Sequence, residues 1–222
     1  MVGVLGGRRR RRRQKPAAMV DAALEYAALG WPVCRGAHPD REGPRACTCD
    51  RLGCPAPGVH PTSAAWAMEA GTDPDAIRRW WSSAPEANII LPTGRVFDVF
   101  DVPAGAGVMA MAQMDRAGLH PGPVAALDAQ RYLFFVATRS PVDEEEWWSC
   151  RLDCFPETVE DTAGLRWHCR DSYVPAPPSL LPSGRTVDWI RSPFTTEGPV
   201  QLPDPIAVLS ILVDVCGTPS GS

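Results

Sequence analysis

Two acids in the segment FDVFDVP, Asp98 and Asp101, have a type and setting that could support chemistry. The segment follows the turn Pro92-Thr93-Gly94-Arg95 and has the apolar content of a buried strand. Converging carboxylates near a strand end can hold two divalent cations about 3.5–4 Å apart, the arrangement used in phosphoryl and nucleotidyl transfer. Side chains alternate across a strand, so positions 98 and 101 are expected on opposite faces unless a bulge intervenes. The pair therefore reads either as a two-metal site or as what is left of one.

A second constellation lies upstream, in ACTCDRLGCPAPGVHP. Cys47, Cys49, Cys54 and His60, spaced two, five and six apart, supply three thiols and one imidazole. That is the donor set of a closed tetrahedral zinc site. Residues 36–62 are rich in Cys, Pro and Gly, and a loop this long needs an organiser. A structural zinc would supply the folding free energy that the loop's own packing lacks. The competing reading is a set of unrelated free cysteines. Cys34, in WPVC, is an alternative ligand but reads as a buried strand residue. Cys150, Cys154, His168 and Cys169 are spread over several elements and read as buried residues.

The elements that must position these residues follow from apolar period and turn chemistry. Ala17–Leu29 has helical spacing, with Gly30 placed to end it. Trp31–Cys34 reads as a short strand. TDPDAIRRWW is a helix with Thr72 as its cap, Pro74 near its start and Ala76, Ile77, Trp80 and Trp81 on its apolar face. Asn88–Leu91 and Val96–Val102 are strands around the PTGR turn. Ala104–Ala117 is a helix ended by Gly118, and YLFFVA, Tyr132–Ala137, is a central strand. A helix is expected from Ser140-Pro141 through DEEEWW. Short strands follow at Leu165–His168, Ser172–Pro175 and Thr186–Ile190, and Ile206–Val215 is too apolar to assign by period. Mixed helices and strands make the class α/β or α+β. One domain is expected over 16–215, between an Arg-rich disordered tail at 1–15 and a short tail at 216–222.

Bulk properties narrow the function classes. The 222 residues are 45% hydrophobic and 22% charged, ordinary values for a soluble protein. No stretch approaches the ~20 apolar residues of a membrane span, and no secretory leader is evident, so a cytoplasmic protein is expected. Arg8–Arg13 and Lys15 place seven positive charges before the first acid; removing them from the net −4 leaves −11 on the rest. An acidic body is a poor general surface for nucleic acid. The arginine run reads as a tail able to bind nucleic acid, or as sequence upstream of a true start at Met19. No GxxxxGK[ST] pattern is present, so any motor, such as a helicase, would come from a separate polypeptide.

Taken in order, ALEYAALGW, the cysteine loop, DPDAIRRWW…PEANIILPTG, an Asp-containing strand and APPSLLPSGR resemble the bifunctional DNA primase/polymerase (prim-pol) N-terminal domain of the archaeo-eukaryotic primase superfamily. The resemblance spans roughly residues 17–191 and implies a primase-polymerase fold. That fold joins a small N-terminal α/β unit to a sheet like that of an RNA-recognition motif, with the zinc loop as an embellishment. It also implies an Asp-x-Asp pair, a His on a later strand that meets nucleotide phosphates, and a further Asp before the Pro-Pro-Ser segment.

At the matching positions the Asp-x-Asp is Asp101-Val102-Pro103, the expected His is Tyr132, and the expected third acid is Arg166. Asp101 then stands as a remnant. Three functional readings follow. The first is a degenerate domain that keeps the fold and a structural zinc and acts by binding DNA, a nucleotide or a replication partner. In it Arg131, Arg166 and His168 meet phosphate directly, as arginine is suited to do. The second is an active Mg²⁺- or Mn²⁺-dependent polymerase with a displaced site drawn from Asp98, Asp101 and Asp128. The third is a zinc-organised protein-interaction module, favoured by the acidic body and by the exposed member of each pair Trp80-Trp81 and Trp147-Trp148.

Overall fold

Alternating and continuous apolar runs build a five-stranded and a three-stranded antiparallel sheet, and the helices lie against them. The computed structural model of the chain describes residues 16–40, 46–49, 51–138 and 164–217. The elements are α1 (Pro16–Ala28), β1 (Cys34–Gly36), α2 (Trp66–Glu69), α3 (Pro74–Ser83), β2 (Asn88–Pro92), β3 (Phe97–Pro103) and α4 (Ala104–Ala117). They continue with β4 (Val124–Leu127), β5 (Arg131–Ala137), β6 (Arg166–His168), β7 (Tyr173–Pro175), β8 (Val187–Arg191), β9 (Phe194–Thr195), β10 (Gly198–Pro199) and α5 (Pro205–Gly217). A small sheet has the order β1-β2-β7, and a five-stranded sheet has the order β6-β3-β5-β4-β8.

Most expected elements are present, with informative differences. Asp73, not Thr72, caps α3: its carboxylate accepts from the Asp75 amide at 3.0 Å, with Pro74 at the first helical turn. Gly118 ends α4 with φ 68°, the left-handed conformation glycine permits. The apolar run at 206–215 is helical and lies within α5, which extends to Gly217. Strand β4 and the β9–β10 hairpin had no clear signal in the sequence. The helix expected from Ser140 and the pair Trp147-Trp148 lie outside the described residues.

Two cores sandwich the larger sheet. Alternate residues of β3 divide between them: Phe97 and Val99 face one side, Phe100 and Val102 the other. On the first side Trp31 stacks on Phe135 at 5.4 Å, and Tyr26 donates from its hydroxyl to the Pro177 carbonyl at 2.7 Å. On the second, Ala110 and Met114 of α4 and Val208 and Leu212 of α5 cover Phe134 and Val136. Gly107 of α4 sits so close to Tyr132 that a Cβ there would fall 2.6 Å from its ring.

The two sheets are joined by one bent ribbon. β2 runs into β3 while β6 runs into β7; β2 pairs with β7 in the small sheet and β3 with β6 in the large one. Both connections bend at the same place. The Thr93 amide donates to the Ser172 carbonyl at 2.9 Å, and the Thr93 hydroxyl to the Cys169 carbonyl at 2.5 Å. Gly94, with φ 77°, lies where a Cβ would be 2.2 Å from Arg170 Cα, so the turn requires glycine.

Buried polar side chains complete the small sheet. Ser179, from the Pro-Pro-Ser segment after the cis Pro177–Pro178 peptide, accepts from the Ile89 amide at 2.9 Å and donates to the Ile89 carbonyl at 3.1 Å. It supplies to β2 the partners that a neighbouring strand would otherwise provide. Asn88, fully buried, donates to the carbonyls of Gly58 (2.6 Å) and Leu180 (2.8 Å) and accepts from the Leu180 amide (2.8 Å). One side chain thus ties the cysteine loop, β2 and the Pro-Pro-Ser turn together. Asn88→Ala leaves these buried groups unsatisfied and should lower unfolding free energy by about 2–4 kcal/mol in denaturant titration. Arg78→Ala, which removes an exposed pair with Asp75, should change it by less than about 0.5 kcal/mol.

Candidate functional site

Asp101 lies near the end of β3, its side chain only 5% exposed, on the sheet face opposite α4 and α5. Strand pairing dictates its neighbours. Pro103, two residues on, stands opposite Arg131 of β5, and Asp101 itself stands opposite Arg166 of β6. His168, two residues further along β6, points to the same face.

These residues close around one carboxylate. Arg131 Nε donates to Asp101 Oδ1 at 2.5 Å, and Arg131 Nη2 donates to the carbonyls of Asp101 (2.9 Å) and Gly164 (2.7 Å). Arg166 Nη1 and His168 Nε2 each lie 3.7 Å from Oδ2. The His168 ring is oriented by Ser172, whose hydroxyl is 3.0 Å from Nδ1. Gly164 packs on Pro103: a Cβ on Gly164 would lie 2.9 Å from the proline Cγ. Pro103, two residues beyond Asp101, is thus held against the backbone at Gly164.

The expected site residues separate into those that meet and those that do not. Asp101, Arg131, Arg166 and His168 are brought together. Asp98 faces the opposite side, fully buried, accepting from Trp167 Nε1 at 3.2 Å. Asp128 sits in the β4–β5 turn with φ 57° and pairs with Arg185 at 3.3 Å. The three acids proposed for a displaced metal site therefore do not converge. Tyr132, the position matched to a phosphate-binding His, points to the helix face and packs on Gly107. The site-facing residue of that part of β5 is Arg131, one position earlier. Sequence reasoning missed Ser172 and Gly164 as partners of His168 and Arg131. The sole local hint was their place at the ends of the LRWHCRD segment.

The cysteine loop forms a compact donor cluster. One ligand atom each from Cys47, Cys49, Cys54 and His60 all lie within 4.8 Å of one another. His60 Nε2 is 3.4 Å from Cys47 Sγ and 3.3 Å from Cys54 Sγ. A tetrahedral ion with Zn–S of about 2.3 Å and Zn–N of about 2.0 Å places S and N about 3.5 Å apart, so the donors fit. His60 Nδ1 faces the Pro61 carbonyl at 2.8 Å, which aims Nε2 into the cluster, the outer contact typical of metal-bound imidazole. The Gly58 amide lies 3.4 Å from Cys47 Sγ. Among the described residues this is the one group of three or more metal-ligating side chains so close together. Cys34 is not part of it: it is buried in β1, and burial pushes its thiol up to about 12. Cys169 is also buried, while Cys150 and Cys154 lie outside the described residues.

No helix among the described residues is long and apolar enough to cross a membrane. No curated protein matches the chain. The family of the bifunctional DNA primase/polymerase N-terminal domain, Prim-Pol, matches residues 23–205, a span that holds both the Asp101 cluster and the cysteine loop. This chain therefore belongs to the Prim-Pol family of DNA primase/polymerase-like proteins.

Proposed function

We propose that this chain is a degenerate prim-pol domain: it has lost nucleotidyl transfer and acts by binding DNA, a nucleotide or a partner of the replication machinery. The observation that carries the reading is the state of Asp101. Its Oδ1 is engaged by Arg131 at 2.5 Å, its Oδ2 faces Arg166 and His168, and Pro103 stands two residues on. Two-metal chemistry needs several carboxylates converging on the cations. Here one carboxylate meets two guanidinium groups, which repel divalent cations. The five-stranded antiparallel sheet with α4 and α5 on one face supports the RNA-recognition-motif-like core expected of the family. A separate helicase is the kind of partner such a domain would serve.

In the same reading, Cys47, Cys49, Cys54 and His60 hold a structural zinc. Zinc bound there would fix the loop covalently, and Asn88 would transmit that order to β2 through the Gly58 carbonyl.

Three measurements test this. Purified full-length protein should give no product in primer-extension or de novo primer-synthesis assays with Mg²⁺ or Mn²⁺. Product that disappears in Asp101→Ala would overturn the degenerate reading. Metal analysis should find one zinc per chain, and a strong chelator or Cys54→Ser should lower the melting temperature. Arg131→Ala strands the nearly buried Asp101 charge and should cost about 2–3 kcal/mol in denaturant unfolding. Arg166, half exposed, should cost less than about 0.5 kcal/mol when changed to Ala.

A further inference from the structure

Resting on the reading above, we propose that Arg166 and His168 form a subsite for a phosphate group that works without divalent metal. The two cluster arginines have different duties. Arg131 is committed to the protein: three hydrogen bonds fasten it to Asp101 and Gly164, and its charge offsets that of Asp101. Arg166 is not so committed. Its side chain is 49% exposed, and at 3.7 Å its Nη1 lies beyond hydrogen-bond distance of Asp101 Oδ2. Among the described residues it donates no hydrogen bond to the protein.

His168 complements it from the same strand. Residues 166 and 168 share a face of β6, and among the described residues β6 lies at one edge of the five-stranded sheet. His168 Nδ1 meets the Ser172 hydroxyl at 3.0 Å, which leaves Nε2 aimed at the region beside Arg166. Arg131 cancels Asp101, so Arg166 leaves a local positive charge on a body that is otherwise acidic. A guanidinium fork beside an imidazole N–H is a donor set for the oxygens of a terminal phosphate. Two guanidinium groups at the carboxylate also disfavour a cation. A phosphate should therefore bind here free of Mg²⁺, and Mg²⁺ that chelates it should compete with the protein.

The test uses the full chain in EDTA and isothermal titration calorimetry. The probes are a deoxynucleoside triphosphate, inorganic phosphate, and a short single-stranded oligonucleotide with and without a 5′-phosphate. Binding of at least one phosphate-bearing probe in EDTA, weakened by added Mg²⁺, is expected. Arg166→Ala should reduce that affinity about tenfold with an unchanged melting temperature, and Arg166→Lys should recover part of it. Tight triphosphate binding alone would identify a nucleotide as the source of the phosphate; preference for the 5′-phosphorylated oligonucleotide would identify a nucleic-acid end. The proposal falls if binding requires Mg²⁺ or Mn²⁺, if Arg166→Ala leaves affinity unchanged, or if no probe binds. None of these three results touches the loss of polymerisation, which primer synthesis measures separately.

Discussion

The bend shared by two chain segments at Thr93–Gly94 and Cys169–Ser172 is the constraint on which the architecture rests. β2–β3 and β6–β7 leave one sheet and enter the other as a hydrogen-bonded ribbon, so neither segment can shift alone. The Thr93 hydroxyl and amide, and the absence of a Cβ at Gly94, permit the close crossing. Because β3 carries Asp101 and β6 carries Arg166 and His168, the register of that ribbon decides which side chains meet. A one-residue slip of β6 would turn Trp167 to the site and send both basic residues into the α4–α5 core.

The same logic of buried polar fastening extends to the cysteine loop. Among the described residues between 36 and 62, Ala37 and Cys47 are buried apolar residues, and the Gly58 carbonyl receives the Asn88 side chain inside the protein. The loop also reaches β1 through the bond from the Thr62 amide to the Arg35 carbonyl at 3.0 Å. The donor cluster is thereby attached at two points to strands of the small sheet. Order in the cluster and order in the sheet are one cooperative property rather than two.

Local patterns were the legible part of this chain. The helices α1, α3 and α4, the strands β2, β3 and β5, and the four metal donors all follow from spacing within a short window. The opposite orientations of Asp98 and Asp101 also follow, from strand alternation alone. What could not be read depends on pairing between distant segments. β4 is only four residues long, two of them alanine, so its strand identity comes from its neighbours β5 and β8. Thr72 and Asp73 are both competent caps, and only the path of the preceding chain selects Asp73. Tyr132 matched the family's His by position along the chain, but the register of β5 against β3 puts Arg131 on the site face. Arg131, Arg166 and His168 were recognisable as basic residues near the expected site. Their convergence on Asp101 was not, because 30 residues separate Asp101 from Arg131 and β6 lies farther still.

The Asp101–Arg131 pair has a consequence for how this protein can change over generations. A cation site would require an acid in place of Pro103 and the loss of the guanidinium at 131. Taken first, the loss of Arg131 strands a nearly buried carboxylate. Taken first, an acid at 103 displaces the proline that packs on Gly164 and disturbs the turn whose carbonyl holds Arg131. Taken together, the two changes would leave two neighbouring carboxylates with no guanidinium between them, a pair that only a bound cation could offset, so their effects are coupled rather than additive. The pair thus acts as a lock on the cluster: no single substitution at 103 or 131 makes room for a cation.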